Sequence, residues 1–337
     1  MKIEPRTKSA GARLVVNKLR QAGIDVEPVL SKAGLKLQVI NKEDGWIDYS
    51  AVETFTQLAA VELNDPHLGL HLGEQEDILE YGALGYIGLA SQNLGDAISN
   101  LQRYLHTVTE AWEIELCVED DEANIVYFPT RAEFLDCRHM VEGAACSLMI
   151  AYQTFCNRPI RPKFVHFAHS CNGSKTEHEI VLGCPVDFNR NRNRIVLERS
   201  ALGLPIETAD DRLLKTLTRL CEKVYQQKTS RASHLVSRIH KVAMDFIPQG
   251  KAYAKEIATE IGMSERTMHR YLAEEGKSFS DVLDELKKEL ALKYMKQDGL
   301  NLSEVAFLLG YADHSGFSTA FKRWTGKTPR EARVVSA

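Results

Sequence analysis

The 337-residue sequence lacks the patterns of secreted, disulfide-bonded and membrane-spanning proteins. Its seven cysteines are odd in number and include no Cys-x-x-Cys pair, which indicates buried free thiols in a reducing compartment. No stretch approaches the ~18 apolar residues that a membrane-spanning helix requires. The N-terminal residues contain no apolar run of the signal-peptide kind. We therefore expect a cytoplasmic protein.

Residues 1–230 also lack a recognisable motif of enzyme chemistry. The glycine-rich run Tyr81–Ala90 has neither the preceding strand nor the Lys-Ser/Thr end of a phosphate-binding loop, so we interpret its glycines as sites of close helix packing. We predict that the chain is not an enzyme and needs no cofactor. An enzyme-like N-terminal domain stays open as an alternative, because catalytic triads are assembled from residues far apart in a sequence.

Histidines occur at two spacings that resemble metal sites. His67 and His71 are four residues apart, but no glutamate follows the first of them, so the metalloprotease motif is absent. His166, His169 and Cys171 offer three ligands on a predicted strand and its following loop, with no partner motif elsewhere. We interpret these three residues as strand and loop packing and predict no metal site.

The chain as a whole also lacks a net positive charge. The net charge at pH 7 is −4, whereas nucleic-acid-binding domains are commonly basic. From Arg231 onward, however, 17 Lys and Arg stand against 14 Asp and Glu, a net +3, while the preceding residues have 25 against 32, a net −7. Because phosphate contacts release counterions locally, DNA binding would depend on where these cations lie.

The most informative stretch lies near the end of the chain. Asn301 with Glu304 three residues later predicts a capped helix N-terminus, and the apolar residues that follow recur at helical spacing. Gly310 then ends the helix, because glycine readily adopts the left-handed conformation of a sharp turn. A second amphipathic run carries large apolar residues on one face: Phe317, Phe321 and Trp324. The pattern predicts two helices joined by a tight turn.

The same pattern begins 48 residues upstream, where Glu256–Met263 aligns with Glu304–Tyr311. Ser264 is suited to cap the second helix of this upstream copy. Between the copies, an amphipathic helix is predicted from about Ser278 to Lys296, roughly 28 Å long at 1.5 Å per residue. Such a helix could hold two recognition helices in successive major grooves, which are about 34 Å apart.

Several positions in this region agree in both type and spacing with a family signature: Ala306, Gly310, Tyr311, Phe317, Phe321, Lys322, Gly326, Pro329 and Arg333. Through them, the segment from about Ser233 to Arg333 resembles the DNA-binding domain of AraC/XylS transcription regulators. The resemblance implies an all-α domain with two helix-turn-helix motifs joined by a long helix. A helical bundle that merely contains two such turns is the alternative.

The outward residues of the first recognition helix, about 264–275, are candidate base contacts. We expect Arg266 or Arg270 to pair with guanine, and His269 to contact a base edge or a phosphate. Thr267 is included in the same candidate surface. The alternative is a solvated helix face.

The second recognition helix, about 314–325, presents shorter polar residues: His314, Ser315, Ser318 and Thr319. Many members of the family place a longer basic residue near Thr319, so we expect less direct base reading by this helix. Lys322, Arg323 and Lys327 are candidates for phosphate contacts, which position a protein without reading sequence.

The N-terminal half alternates helices with a few strands, which predicts an α+β domain. Helices are predicted at Arg13–Ala22, Pro28–Ala33, Tyr49–Glu62, Leu94–Trp112, Phe134–Cys156 and Asp210–Gln227, and strands at Glu113–Val118, Asn124–Phe128, Pro162–Ala168 and Arg194–Leu197. Three segments resemble the arabinose-binding-type N-terminal domain of one branch of AraC-like regulators: Leu68–Gly73, Tyr81–Tyr104 and Leu182–Phe188.

The last predicted helix of this half has a heptad-like stripe of Leu213, Leu217, Leu220 and Val224. We interpret it as packing on its own domain, with a homodimer seam as the alternative. A polar, helix-poor stretch near Lys228–Ser233 predicts the boundary between domains 1–230 and 231–337.

Together these features predict a DNA-binding transcription regulator controlled through its N-terminal domain by a small molecule or by dimerisation. The family resemblance implies activation through contact with RNA polymerase. An N-terminal domain that only dimerises is a further alternative.

Overall fold

The computed structural model describes residues 4–42, 45–131, 134, 137–171, 174–228, 231–274, 276–296 and 300–334. The chain divides into two compact units. The N-terminal unit comprises Met1–Phe128 and Cys137–Lys228, and the C-terminal unit comprises Pro129–Asp136 and Thr229–Ala337. Among the described residues, no helix is both long enough and apolar enough to cross a membrane.

The N-terminal unit has α+β architecture. Its helices are α1 Ala10–Gln21, α2 Val26–Lys32, α3 Leu37–Ile40, α4 Tyr49–Glu62, α5 Leu68–Glu74, α6 Ala83–Ala90, α7 Leu94–Tyr104, α8 Arg138–Cys156, α9 Thr176–Leu182 and α10 Asp211–Lys228. Its strands are β1 Arg6–Lys8, β2 Trp46–Asp48, β3 Trp112–Glu119, β4 Glu122–Pro129, β5 Phe164–His166, β6 Val186–Asp187 and β7 Asn193–Glu198.

The strands form two sheets. A two-stranded antiparallel sheet pairs β1 with β2, and a five-stranded sheet has the order β3-β4-β7-β5-β6. In the larger sheet, β7 runs antiparallel to both β4 and β5, while β6 runs parallel to β5. Apolar residues of this sheet, α6, α7 and α8 share one core, and a second core lies among α1, α2 and α4.

Two glycines of the run at Tyr81–Ala90, Gly85 and Gly88, allow close packing, as the sequence predicts, whereas Gly82 has φ +60° and no described atom within 4 Å of an added β-carbon. A β-carbon added to Gly88 would lie 2.1 Å from the ring of Phe155 on α8. That distance is far below van der Waals contact, so a side chain at this position would require the buried Phe155 ring to move.

Two predicted helices of the N-terminal unit are too long. The helix predicted at Leu94–Trp112 ends at Tyr104, a 3-10 turn follows at Leu105–Thr107, and Trp112 begins β3. Here tertiary contacts override helical spacing: the Val108 carbonyl accepts from the Lys8 amide at 2.8 Å. The helix predicted at Phe134–Cys156 begins instead at Arg138; residues 135 and 136 lie outside the described part.

The apolar stripe predicted on α10 is partly wrong. Leu214, Leu217 and Cys221 pack against the core of the N-terminal unit. Leu213 and Leu220 are instead 42% and 53% exposed. The side chain of Val224 lies outside the part that the structure describes. The packing face therefore follows a spacing of three and four residues from Leu214.

The C-terminal unit is helical. Its helices are α11 Arg231–Phe246, α12 Ala254–Glu260, α13 Glu265–Glu274, α14 Phe279–Lys296, α15 Leu302–Leu308, α16 His314–Thr325 and α17 Pro329–Val334. The expectation of a helix-poor stretch near Lys228–Ser233 is wrong at both ends, because α10 continues to Lys228 and α11 begins at Arg231. Residues 229 and 230 lie outside the described part.

One core holds the C-terminal helices together. It contains apolar residues of α11 to α16, with Phe317 and Phe321 of α16 fully buried. Phe279, Val282, Leu286 and Leu290 form the buried stripe of α14, as their spacing predicts. Because α14 packs against both α15 and α16, its apolar face positions the second helix pair.

Candidate nucleic-acid interface

Two pairs of short helices share the same turn. Gly262 follows α12 at φ +74° and Gly310 follows α15 at φ +73°, both in the left-handed region that glycine tolerates. The predicted cap of α15 is present: the Asn301 side chain accepts from the Glu304 amide, and the Glu304 carboxylate accepts from the Asn301 amide. Each turn thus ends one helix and redirects the chain into the next.

The second helix of each pair also has a side-chain cap. Ser264 Oγ accepts from the Thr267 amide at 3.1 Å at the start of α13. Asp313 Oδ1 accepts from the Gly316 amide at 2.8 Å at the start of α16. These contacts satisfy backbone amides that a helix N-terminus otherwise leaves unpaired, so they fix where α13 and α16 begin.

The two faces of α13 differ as the sequence predicts. Met268 and Leu272 are fully buried, whereas Arg266, His269 and Arg270 are exposed. Thr267 is half-buried, and its hydroxyl lies 2.8 Å from Ser264 Oγ. Thr267 therefore belongs to the helix cap as well as to the candidate surface.

Two of the exposed residues of α13 are held by neighbours. The guanidinium of Arg270 stacks over the ring of Tyr271, 4.9 Å from its centroid. Stacking uses the flat face of the guanidinium, and the N–H donors at its edge are the groups that read guanine. His269 Nε2 lies 3.6 Å from the Glu265 carboxylate one turn earlier.

The face of α16 carries small polar groups. His314, Ser315 and Thr319 are exposed, and Ser318 is half-buried. Thr319 Oγ1 donates to the Ser315 carbonyl at 3.0 Å, and Ser318 Oγ lies 3.3 Å from His314 Nδ1. The Thr319 hydroxyl proton is therefore used within the helix itself.

The cations at the end of α16 have different surroundings. Lys322 is exposed in the last turn, where a positive charge also favours the helix C-terminus. Arg323 is exposed too, but its Nη2 donates to Asp284 of α14 at 2.6 Å. Arg323 thus joins α16 to α14. To bind a phosphate, Arg323 would have to release Asp284.

A cation–aromatic contact that sequence spacing does not predict lies beside the second turn. Lys287 of α14 places Nζ 4.6 Å from the ring centroid of Tyr311, the residue after Gly310. Burial lowers the pKa of Lys287 and raises the pKa of Tyr311 to about 12. Tyr311 belongs to the repeated motif, but its partner lies on another helix, which only the folded structure brings near.

Comparisons with known proteins agree with this architecture. Residues 23–206 match the family described as the arabinose-binding domain of AraC transcription regulator, N-terminal. Residues 257–334 match a helix-turn-helix domain. The first match alone spans more than half of the chain.

Relatives align along nearly the whole chain. The ornithine utilization regulator of Pseudomonas aeruginosa is 26% identical over 324 residues, covering 96% of this chain and 95% of that protein. The HTH-type transcriptional regulator VirS of Mycobacterium tuberculosis is 26% identical over 322 residues, covering 94% and 93%. The crystal structure of the transcriptional regulator CdpR from P. aeruginosa aligns over 95% of this chain and 96% of its own, at 20% identity and a TM-score of 0.48.

The ornithine utilization regulator and VirS are regulators rather than enzymes, which fits the expectation from the sequence. The N-terminal match is to a ligand-binding domain and the C-terminal match to a DNA-binding domain. The chain therefore belongs to the AraC family of transcription regulators and is a DNA-binding protein.

Proposed function

We propose that the C-terminal unit binds DNA through two helix-turn-helix motifs, α12–α13 and α15–α16, joined by α14. In this proposal α13 and α16 lie in successive major grooves on one face of the duplex. The observation that carries it is the repeated glycine turn, at nearly the same φ in both helix pairs. The 18 residues of α14 support it as well, because they span about 27 Å at 1.5 Å per residue.

The two recognition helices would have different tasks. On α13, Arg266 and Arg270 are long enough to reach base edges, and Thr267 and His269 would contact bases or phosphates. On α16, the short side chains of His314, Ser315, Ser318 and Thr319 favour contacts to the backbone or through water. Lys322 and Arg323 would bind phosphates and set the register of the protein on the duplex.

The N-terminal domain, residues 1–230, would control the DNA-binding domain, residues 231–337. We propose a small-molecule effector or a second protomer as the controlling partner; the exposed Leu213 and Leu220 of α10 would support the protomer contact. Either partner can act only by binding one state of the protein more tightly than another. The family relationship supports activation of transcription through contact with RNA polymerase.

Selection from a randomised DNA pool tests the proposed binding mode. The full chain should enrich a bipartite site whose two elements are centred about 10–10.5 base pairs apart, since each recognition helix would read one groove. Enrichment of one short element, with no base preference one helical turn away, would exclude base reading by α16. Enrichment of no sequence would remove specific DNA recognition from the proposal.

Arg270→Ala should weaken binding to the selected site by about 1–3 kcal/mol and relax preference at one base position. The substitution would remove a paired contact to a base edge and leave the buried face of α13 unchanged. Competition binding with a set of single-base variants of the site measures both effects. Arg20→Ala on α1 is the matched control, because Arg20 is also an exposed arginine but lies in the N-terminal unit. Unchanged binding by Arg270→Ala would remove this residue from the reading surface.

Lys322→Ala should weaken binding to all sequences by the same factor and reduce the slope of log K against log salt by about 1. A phosphate contact releases counterions but carries no base information, so the selected motif should stay the same. Titrations at several salt concentrations measure the slope. Lys32→Ala, an exposed substitution in the N-terminal unit, should leave it unchanged. Loss of preference at a single base would contradict the proposed role of Lys322.

A further inference from the structure

A buried cluster of histidine and carboxylate groups lies in the N-terminal unit, outside the residues used for DNA binding. It consists of His67 immediately before α5, Glu142 on α8 and His178 on α9, and we call it the His-Glu-His cluster. One ligand atom from each residue lies within 4.8 Å of the other two. Glu142 is 0% exposed and His178 1% exposed.

The polar atoms of this cluster are poorly satisfied. Within the described residues, neither carboxylate oxygen of Glu142 and neither ring nitrogen of His178 has a partner in hydrogen-bonding geometry. This is so although His178 Nε2 lies only 3.0 Å from Glu142 Oε1. A buried carboxylate that accepts no hydrogen bond is strongly unfavourable. A proton shared between the two side chains would satisfy only one pair of atoms.

His169 lies next to the cluster in an orientation suited to a metal ligand. Its Nδ1 is 3.0 Å from the Ser170 carbonyl, which can only accept, so Nδ1 carries the proton. In the neutral ring, Nε2 then presents a lone pair, and this atom lies 3.6 Å from Glu142 Oε1. Fixing one imidazole nitrogen with a carbonyl is the usual way in which proteins orient a metal-binding histidine.

We propose that the His-Glu-His cluster binds a divalent transition-metal ion of the Zn²⁺ type, with His67, Glu142 and His178 as ligands and His169 beside the fourth position. Two imidazoles and a carboxylate are a common donor set for zinc. Tetrahedral ligands about 2.1 Å from zinc lie ~3.4 Å from each other, so small side-chain movements would close the site. One cation would satisfy the carboxylate and both rings together.

The fold holds the three side chains of the cluster in place and leaves one of them partly exposed to solvent. Gly69 brings the start of α5 against α8, where an added β-carbon would lie 1.9 Å from the His139 carbonyl. This close approach holds His67 beside Glu142. His67 is half-buried, which gives an ion a route from solvent, while Phe167 and Phe188 pack around His169 and His178. The metal would tie α5, α8 and α9 together.

The site was missed in the sequence because its ligands share no local spacing. The sequence pattern that most resembles a metal site is His166 to Cys171. In the structure, its two histidines contact different partners. His166 accepts from Arg194 at 3.0 Å and lies 3.6 Å from Asp187, while His169 turns toward Glu142.

Zinc titration of the full chain, stripped of metal with a chelator, tests the proposal. Competition against a chromogenic zinc indicator should show one high-affinity equivalent per chain. Glu142→Gln, His178→Gln and His67→Gln should each weaken it by more than about 100-fold, since loss of even an outer-shell partner costs about 10–100-fold. His67→Gln is the decisive variant if the buried substitutions do not fold, because His67 is only half-buried.

His166→Gln is the matched control and should keep the full affinity, because His166 contacts Arg194 and Asp187 instead. Amide hydrogen exchange provides a second readout. Zinc should slow exchange in α8 and α9 of the unaltered chain, and it should not change the exchange rates of these helices in His67→Gln. Titration with Co²⁺ should give visible bands without sulfur-to-cobalt charge transfer. Absence of zinc binding, unchanged affinity in His67→Gln, or a thiolate band would each overturn the proposal.

Discussion

Replacing Gly310 with Ala is expected to lower the stability of the C-terminal unit by about 2–5 kcal/mol. Gly310 has φ +73°, where an L-residue costs about 1–2 kcal/mol. In addition, its β-carbon would lie 2.3 Å from the Ile247 carbonyl oxygen. That oxygen belongs to the backbone and cannot rotate away, so the turn or the end of α11 must shift, at a further cost of about 1–3 kcal/mol.

Gly262→Ala is a control that isolates the second effect. Gly262 has nearly the same φ, +74°, in the corresponding turn, but no atom lies within 4 Å of an added β-carbon among the described residues. It should therefore cost only about 1–2 kcal/mol. Urea unfolding followed by Trp324 fluorescence, with Trp46 and Trp112 replaced by Phe, measures the C-terminal unit within the full chain. Equal losses of unfolding free energy in the two glycine variants would show that the contact with the Ile247 carbonyl adds no destabilisation.

Helices with clear end signals, such as α4 and α16, could be predicted well because local signals and packing agree there, whereas α11 was not predicted. Tyr49–Glu62 in the N-terminal unit and His314–Thr325 in the C-terminal unit were both predicted with the bounds that the structure has. In α16, Asp313 fixes the start, Gly326 adopts the left-handed conformation at the end, and Phe317 and Phe321 mark the buried face. When caps, turn residues and apolar spacing indicate the same element, tertiary contacts have little to change.

The N-terminal unit was harder to predict because its key contacts join distant segments. Helical spacing extends the predicted helix to Trp112, but this residue begins β3, and its Nε1 donates to the Tyr49 hydroxyl at 2.6 Å. No local pattern reports a partner 63 positions away. The His-Glu-His cluster was invisible for the same reason. The exposed surface of α13 could be predicted, whereas the pairing of Arg323 with Asp284 required the packing of α16 on α14.

The stability of the C-terminal unit should fall in mildly acidic solution because of His240, a buried residue of α11. Burial lowers the pKa of His240 from 6.5 to about 4, with Lys277 reinforcing the shift and Glu285 opposing it. Between these pH values the unfolded chain binds a proton that the folded chain does not. The free energy of unfolding is therefore highest above about pH 6.5. It falls by up to about 3 kcal/mol as the pH approaches 4.

Urea unfolding between pH 7 and pH 4.5, with Trp324 as the reporter, measures this loss. His240→Phe keeps a ring of similar volume but cannot take up a proton, so its stability should depend less on pH than that of the unaltered chain. Ile239→Val, at the neighbouring buried position, should cost about 0.5–1.5 kcal/mol at every pH and leave the dependence intact. If His240→Phe keeps the full acid sensitivity, other groups must take up the proton on unfolding. A selective loss of that sensitivity in His240→Phe would assign the acid sensitivity of the C-terminal unit to this one histidine.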